Sequence, residues 1–312
     1  MDSLTQVTIY LGQSSLQEGL LYALMTLGVY LSFRVLNYAD LTVDGSLPLG
    51  AAITAVLISQ GINPWLATLV AIGGGLLAGA ATAFLHTHLK IAPLLSGILM
   101  MTALYSVNLR VMGGKANIPL LRTETVFTQI ESLNLGLTRN SAIILLTLLT
   151  VIIVFFILYF FLETEIGVAL RATGDNEKMV TSQGVDIRVM KIIGLSLSNG
   201  LVALSGALVA QTVRSADIGM GVGTIIAGLA SVIIGQSLFG RGSVLRDLIA
   251  VIFGSVIYRL IIAIVLLLGL PATDLKLMTA LIVIIALAYP VIMESRERKK
   301  GSERYASDHK SN

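Results

Sequence analysis

The chain has 312 residues, of which 55% are hydrophobic and only 12% charged, and its formal net charge is +3. Soluble domains carry about 25% charged residues, so this composition predicts a polytopic membrane protein and excludes an ordinary soluble enzyme. The absence of cysteine excludes disulfides, thiolate metal sites and a cysteine nucleophile, and no basic patch interleaves with aromatic residues as nucleic-acid binding would need.

Apolar runs of about 20 residues, the length that crosses a bilayer, mark the predicted membrane segments in chain order. Residues 1–15 contain no Lys or Arg, so no cleavable signal peptide is expected before the first of them. We predict an all-α fold, a polytopic membrane helix bundle with about nine segments, two of them discontinuous. Seven full runs lie at 16–36, 64–86, 91–108, 141–162, 192–213, 247–268 and 274–293, and two shorter ones, preceded by Gly-containing stretches, at 48–60 and 224–239.

Small residues indicate where two helices pack closely. Gly75, Gly79 and Ala83 are four positions apart and therefore lie on one helix face, with Gly73 and Gly74 beside them. Small residues let helix backbones approach where lipid supplies no hydrophobic drive between spans. Helix–helix packing is the expected role of this group.

The basic residues predict the orientation of a single membrane domain at 1–293. The tail at 294–312 is strongly basic, so we expect it to be cytoplasmic and disordered. Counting the nine segments back from it places the N-terminus outside and makes 108–140 a large external loop. The segment 163–191 then lies in the cytoplasm.

The segment 163–191 is a polar insert between two apolar runs, and its residues predict a short helix. Gly167 is expected to end the preceding apolar helix, and Gly174-Asp175-Asn176 offers an N-cap for a helix at about 176–183. Gly184 is a natural C-cap, and the next helix is expected to start near Asp186. Such a helix lying across the cytoplasmic face could transmit the motion of a partner; a solvated connecting loop is the alternative.

Catalytic motifs are absent from the sequence. It contains no G-x-x-x-x-G-K-[ST], H-E-x-x-H or G-x-S-x-G, so it is not expected to bind ATP itself, to hold a metal or to hydrolyse a substrate. Gly219, Gly221 and Gly223 are interpreted as a flexible break before an apolar run. His86 and His88 are expected to be solvated at a helix end.

Ionisable residues at membrane depth are costly and usually face a protein interior or a wet cavity. Asp40 and Asp44 lie where Gly45 and Pro48 would interrupt a helix, which predicts a re-entrant segment facing a cavity; a cytoplasmic loop with ordinary turn aspartates is the alternative. Arg259 lies within a span and could line the cavity or form a structural ion pair. The candidate pathway residues are Asp40, Asp44, Tyr105, Asn108, Gln211, Gln236, Tyr258 and Arg259.

The segment 167–210 resembles the cytoplasmic-loop region of bacterial ABC importer permeases of the branched-chain amino acid and ribose type. The segment 40–52 is similar to the discontinuous second helix of that family, and 232–258 to its last third, so the resemblance covers about 16–293. The match looks closest to the tryptophan/tyrosine-type branch of uncharacterised uptake permeases. The residues that carry it are Gly167, Arg171, Ala172, Asn176, Gly184, Val185, Asp186, Ser205, Gly206 and Ala207.

The resemblance implies a non-catalytic permease in a bacterial plasma membrane, one that takes up a small solute such as an amino acid. It implies ATPase partners that bind the ATP, a second permease copy in a homodimer or a related permease, and an extracytoplasmic solute-binding protein. The alternative, an ion-driven secondary transporter, would predict an inverted repeat. The residues expected to dock on the ATPase are Arg171, Gly174, Asp175, Asn176, Glu177, Lys178, Gly184, Asp186 and Arg188.

Overall fold

The computed structural model describes residues 3–121, 123–132, 139–240, 242–267 and 277–281, together with residues 284 and 288. For residues 3–10 only the backbone is described. The predicted tail at 294–312 and most of the predicted segment 274–293 lie outside the described residues, as does part of the predicted loop 108–140.

The described chain is a bundle of helices with one short β-ribbon, so the prediction of a mostly helical fold is confirmed. The ribbon was not predicted, because strands of three residues are too short to show an alternating pattern. The helices are α1 (Ser3–Val29, continued by a π-helical stretch at Tyr30–Val35), α2 (Val43–Ser59), α3 (Pro64–Thr87), α4 (Pro93–Val111), α5 (Val126–Glu131), α6 (Arg139–Glu163), α7 (Glu165–Asp175), α8 (Glu177–Ser182), α9 (Ile187–Val213), α10 (Thr224–Phe239) and α11 (Val244–Leu267); the strands are β1 (Asn117–Pro119) and β2 (Ser215–Asp217).

Seven of the described helical segments are long and apolar enough to cross a membrane. One of them, Ile218–Phe239, contains the run 224–239 that we predicted to be too short, because a 3-10 turn at Ile218–Gly221 extends it. Helix α2, at Val43–Ser59, is a shorter apolar helix, as predicted. The count of about nine segments is not confirmed and stays a prediction.

Helix α9 lies at the centre of the bundle, packed against α1, α2 and α3. An added Cβ at Gly79 would collide with the carbonyl of Leu195 in α9, and one at Gly75 with the carbonyl of Asn199. The predicted close packing is therefore confirmed at these two positions. Gly73 has open space around it, so it contributes nothing to the contact.

The two ends of α9 carry different structures. The helix has 27 residues and is therefore about 40 Å long. Helices α7 and α8, which we call the arm, precede its first residue, whereas β1 and β2 pair as an antiparallel ribbon just beyond its last, with Asn117 opposite Asp217. The arm and the ribbon thus mark opposite ends of the bundle.

Two predicted boundaries of the polar segments are wrong. Gly167 does not end a helix but lies in α7, because Thr164 accepts a hydrogen bond from its N–H at 3.2 Å and so starts a new helix. By contrast, the next helix starts near Asp186 as predicted, since α9 begins at Ile187. At the other end, Asn108 belongs to α4 rather than to the loop that follows Val111.

Candidate functional site

The arm presents most of the predicted docking residues to solvent. Met179, which lies among these docking residues in the chain, has an apolar side chain that is nevertheless 55% exposed. Arg171 and Gly174 are half-buried instead, and an added Cβ at Gly174 would collide with the carbonyl of Val35. The exposed predicted residues are Asp175, Asn176, Glu177, Lys178, Gly184, Asp186 and Arg188.

Caps from neighbouring residues define α8, as the sequence predicted. The Asn176 side chain accepts a hydrogen bond from the N–H of Met179 at 3.1 Å. Gly184 has a φ of 84°, a left-handed conformation that ends the helix without strain. Asp186 accepts from the N–H of Arg188 at 2.8 Å and caps α9. The buried side chain of Val180 holds the helix on the bundle.

A buried lysine ties the arm to two long helices, a feature that the sequence analysis missed. Lys191 in α9 is only 6% exposed, and its Nζ lies 2.7 Å from Oε1 of Glu177 in α8. The same Nζ donates to Nε2 of His86 in α3 at 3.1 Å, so Nδ1 carries the proton and donates to the carbonyl of Ile91 at 2.8 Å. The expectation that His86 is merely solvated is wrong, because the fold brings Lys191 to its ring.

The side chain of Asp44 binds the first turn of α10. Its carboxylate accepts hydrogen bonds from the N–H of Gly223 at 2.9 Å, the N–H of Ile225 at 2.8 Å and the hydroxyl of Thr224 at 3.0 Å. A carboxylate at a helix N-terminus satisfies unpaired N–H groups and complements the helix dipole. We call this contact of α2 with residues 221–225 the junction.

Close backbone contact and a buried network surround the junction. An added Cβ at Gly221 would collide with the carbonyl of Asp44. Asp40, in the turn before α2, accepts from Thr42 N–H at 2.9 Å and from the Asn199 amide at 2.7 Å. Asp40 therefore holds the turn onto α9.

Five of the eight predicted pathway residues line two crevices that meet at Val222. Asp44, Tyr105 and Asn108 line a crevice of about 330 Å³ between α2, α4 and the 3-10 turn. Tyr258 and Arg259 line a crevice of about 440 Å³ on the α11 side.

Two of the remaining predicted pathway residues are engaged elsewhere. The Gln211 side chain accepts from the N–H of Val126 at 2.9 Å and donates to the Thr68 hydroxyl at 3.0 Å, so it holds α5 onto the bundle. Gln236 accepts from Nε of Arg34 at 3.0 Å, near the arm end of α10. The structure therefore brings neither of them to the crevices.

Arg259 makes the ion pair that the sequence left as an alternative. Its Nη1 lies 3.4 Å from Oε2 of Glu18 in α1, and its guanidinium carbon lies 3.7 Å from the centre of the Tyr22 ring. These partners could not be identified from the sequence, since Glu18 is 241 positions away and only the packing of α1 on α11 brings them together.

Known proteins were compared with the chain. Residues 13–288 match the family described as "Branched-chain amino acid transport system / permease component". The chain is 44% identical to the "Tyrosine transport system permease protein" of Clostridioides difficile over 276 residues, 88% of this chain and 90% of that protein. It is 33% identical to "Uncharacterized protein RP368" of Rickettsia prowazekii over 88% of this chain and 96% of that protein. The "Ribose import permease protein RbsC" of Escherichia coli is 25% identical, over 77% of this chain and 74% of that protein. No solved structure matches the chain.

Proposed function

The chain belongs to the branched-chain amino acid transport system permease family and is a permease component of an ABC-type importer; we propose that it couples uptake of a free amino acid to ATP hydrolysis by a partner subunit. Tyrosine is the first candidate substrate, because a relative of 44% identity is named a tyrosine transport permease. The permease would work as a homodimer and receive its substrate from an extracytoplasmic binding protein.

The observation that carries this proposal is the arm, a capped helix pair that projects polar side chains from one end of the bundle. Its exposed surface joins the charges of Asp175 and Lys178 with the apolar side chain of Met179, and Arg188 at the start of α9 is exposed beside it. Such a mixture suits a protein partner better than a lipid surface. Its internal contact with Lys191 connects that surface to α9, and through His86 to α3. A partner that moves α8 would therefore act directly on the central helix pair.

The two crevices at Val222 support a substrate pathway at the junction. The 3-10 turn at Ile218–Gly221 and the left-handed Gly223 interrupt the helical segment between the crevices. Interrupted helices of this kind are typical of transporter pathways. The carboxylate of Asp44 would hold the break in place, and movement of α2 against α10 would then open one crevice or the other. The arm end would be cytoplasmic, so that the ATPase can reach it, with the ribbon end outside.

Reconstitution tests the proposal. The purified permease would be placed in proteoliposomes with its ATPase and binding protein, and uptake of labelled tyrosine would be measured with ATP or with a non-hydrolysable analogue. We expect accumulation only with ATP, and none when a proton or sodium gradient replaces it. Uptake that is driven by an ion gradient in vesicles without the ATPase would contradict the proposal and favour a secondary transporter.

A further inference from the structure

An ion pair lies within the membrane-spanning part of the bundle. Arg259 is in the interior of α11 and Glu18 in the interior of the span Leu11–Val35. Charges at such positions are rare because they are costly in hydrocarbon, and they usually mark a substrate or ion path. The guanidinium also stacks on Tyr22, which orients it toward α1.

Holding α1 against α11 does not require this pair. The Ser255 hydroxyl donates to the carbonyl of Gly19 at 2.9 Å, and an added Cβ at Gly19 would lie 2.6 Å from the Cα of Val256. The two helix backbones are therefore already in close contact one turn away. The ion pair is therefore not needed to bring these two helices together.

Several polar atoms around the pair have hydrogen-bonding capacity left over. The Nε of Arg259 is buried and has no partner among the described residues, and the same holds for the hydroxyl of Ser15, whose residue is only 4% exposed. The Glu18 side chain is 56% exposed, and within the described part of the chain it makes one long contact, at 3.4 Å. Buried polar atoms without partners are uncommon in native structures, and each calls for an explanation such as a functional role.

These atoms lie at one end of a crevice of about 300 Å³. Ser14, Ser15, Glu18 and Arg259 form its polar end, and the rest is apolar, lined by Leu11, Ile262, Ala263, Leu266 and Leu267. A volume of this size is at the lower limit of ligand pockets, which span about 300–1,000 Å³. It suits a small molecule with a charged head and an apolar body.

We propose that Glu18 and Arg259 recognise the two charges of a free amino acid, a step that rests on the transport function proposed above. The guanidinium would donate two parallel N–H groups to the α-carboxylate, the geometry in which arginine binds carboxylates most strongly. Glu18 and the Ser15 hydroxyl would accept from the α-ammonium group. The side chain of the amino acid would occupy the apolar end, beside Ile262.

Direct binding tests this site without ATP or a binding protein. The permease–ATPase complex in detergent would be titrated with L-tyrosine, with tyramine, which lacks the carboxylate, and with 3-(4-hydroxyphenyl)propionate, which lacks the ammonium. We expect tyrosine to bind at least about tenfold more tightly than either analogue, because each analogue leaves one charge of the pair unmatched. Absence of binding to the wild-type complex up to the solubility limit of tyrosine, or equal binding of all three, would overturn the assignment.

Substitutions separate recognition from a structural role. Arg259→Lys keeps a cation beside Glu18 but loses the forked donor, so we expect an unchanged Tm and tyrosine binding weakened about tenfold or more. The double variant Glu18→Gln, Arg259→Gln should fold but lose both binding and uptake. A double variant that imports tyrosine at the wild-type rate would show that the pair is structural only.

A second ion pair provides the control for these variants. Arg139 and Glu131 lie 4.0 Å apart outside the crevice, so Arg139→Gln should change neither binding nor uptake. If the wild-type complex binds tyrosine but ATP does not drive its uptake, the transport function fails while the recognition site stands.

Discussion

In the arm, each capping side chain lies at most three positions from the N–H group whose hydrogen bond it accepts. At the junction, by contrast, Asp44 caps a helix that begins 180 positions later. The arm is therefore built from local signals that would form wherever the segment lay. The junction exists only when α2, α9 and α10 are packed together. Substitutions should accordingly act locally in the arm and globally at the junction.

The largest effect is expected from Gly50→Ala in α2, which is packed on α9. The added Cβ would collide with the carbonyl of Ala203, a backbone group that can move only with its helix, so the cost should exceed the roughly 1–3 kcal/mol that is typical of overpacking. The matched control is Gly73→Ala in α3, where the space is open and alanine should favour the helix by about 0.5–1 kcal/mol. Thermal unfolding in detergent should give a lowered Tm for the first and a slightly raised one for the second. Equal Tm values would refute the close contact of α2 with α9.

The next effect is expected from Asp44→Ala. It leaves the N–H groups of Gly223 and Ile225 and the Thr224 hydroxyl without their acceptor. A hydrogen bond to a charged group contributes about 1.5–3 kcal/mol, but Asp44 is only half-buried, so water should replace part of what is lost. We expect a lower Tm and loss of uptake.

Asp217→Ala is the control for Asp44→Ala, because this exposed aspartate also caps a turn, at Gly219, but within its own segment. It should leave both the Tm and the uptake close to wild type. Normal uptake by a folded Asp44→Ala permease would show that the junction is not part of the substrate pathway.

A smaller effect is expected at the contact between the two regions, Glu177 with Lys191. Glu177→Gln leaves the buried ammonium without its carboxylate, and an unpaired buried polar group costs about 1–3 kcal/mol. Glu177→Gln together with Lys191→Met removes both charges and should recover the Tm. It should not recover uptake, because the link from α8 to α9 and to His86 is gone.

Lys178→Gln, on the exposed side of α8, is the control for charge loss in the arm and should keep the wild-type Tm. If the double variant regains uptake together with its Tm, the Glu177–Lys191 pair is only structural and does not transmit motion.

The smallest effect on the bundle is expected from Asn176→Ala. It removes the cap of α8, which is typically worth about 1 kcal/mol, and it touches no membrane-spanning helix. The Tm should hardly change, while retention of the ATPase on the purified permease should fall. Ser182→Ala at the other end of α8 should affect neither measurement. A large fall in Tm for Asn176→Ala would show that the arm is not locally built.

The same contrast explains what the sequence could predict. Within the described residues, the span positions, the N-cap at Asn176, the turn at Gly184 and the close packing of Gly75 and Gly79 follow from spacing or from residue type and are found. Helix α7 was missed because Gly167 is a poor helix residue, and the cap at Thr164 outweighs it.

The partners of the buried polar groups could not be predicted. Asp44 and Asp40 were singled out as costly charges, but nothing in the sequence indicates that Thr224 and Asn199 would satisfy them across the bundle. Lys191 resembled one more basic residue at a membrane boundary until the fold placed His86 beside it. Periodicity places helices, but it does not specify which polar side chains meet between them.

Contact between the arm and a partner ATPase is most directly measured by cysteine protection, for which the chain is suited because it has no native cysteine. Met179→Cys, on the exposed side of α8, and Leu121→Cys, exposed beside the ribbon, would be labelled with a maleimide in detergent, with and without the ATPase. We predict that the ATPase slows labelling at position 179 and leaves position 121 unchanged. Equal labelling at position 179 with and without a bound ATPase would contradict docking on the arm.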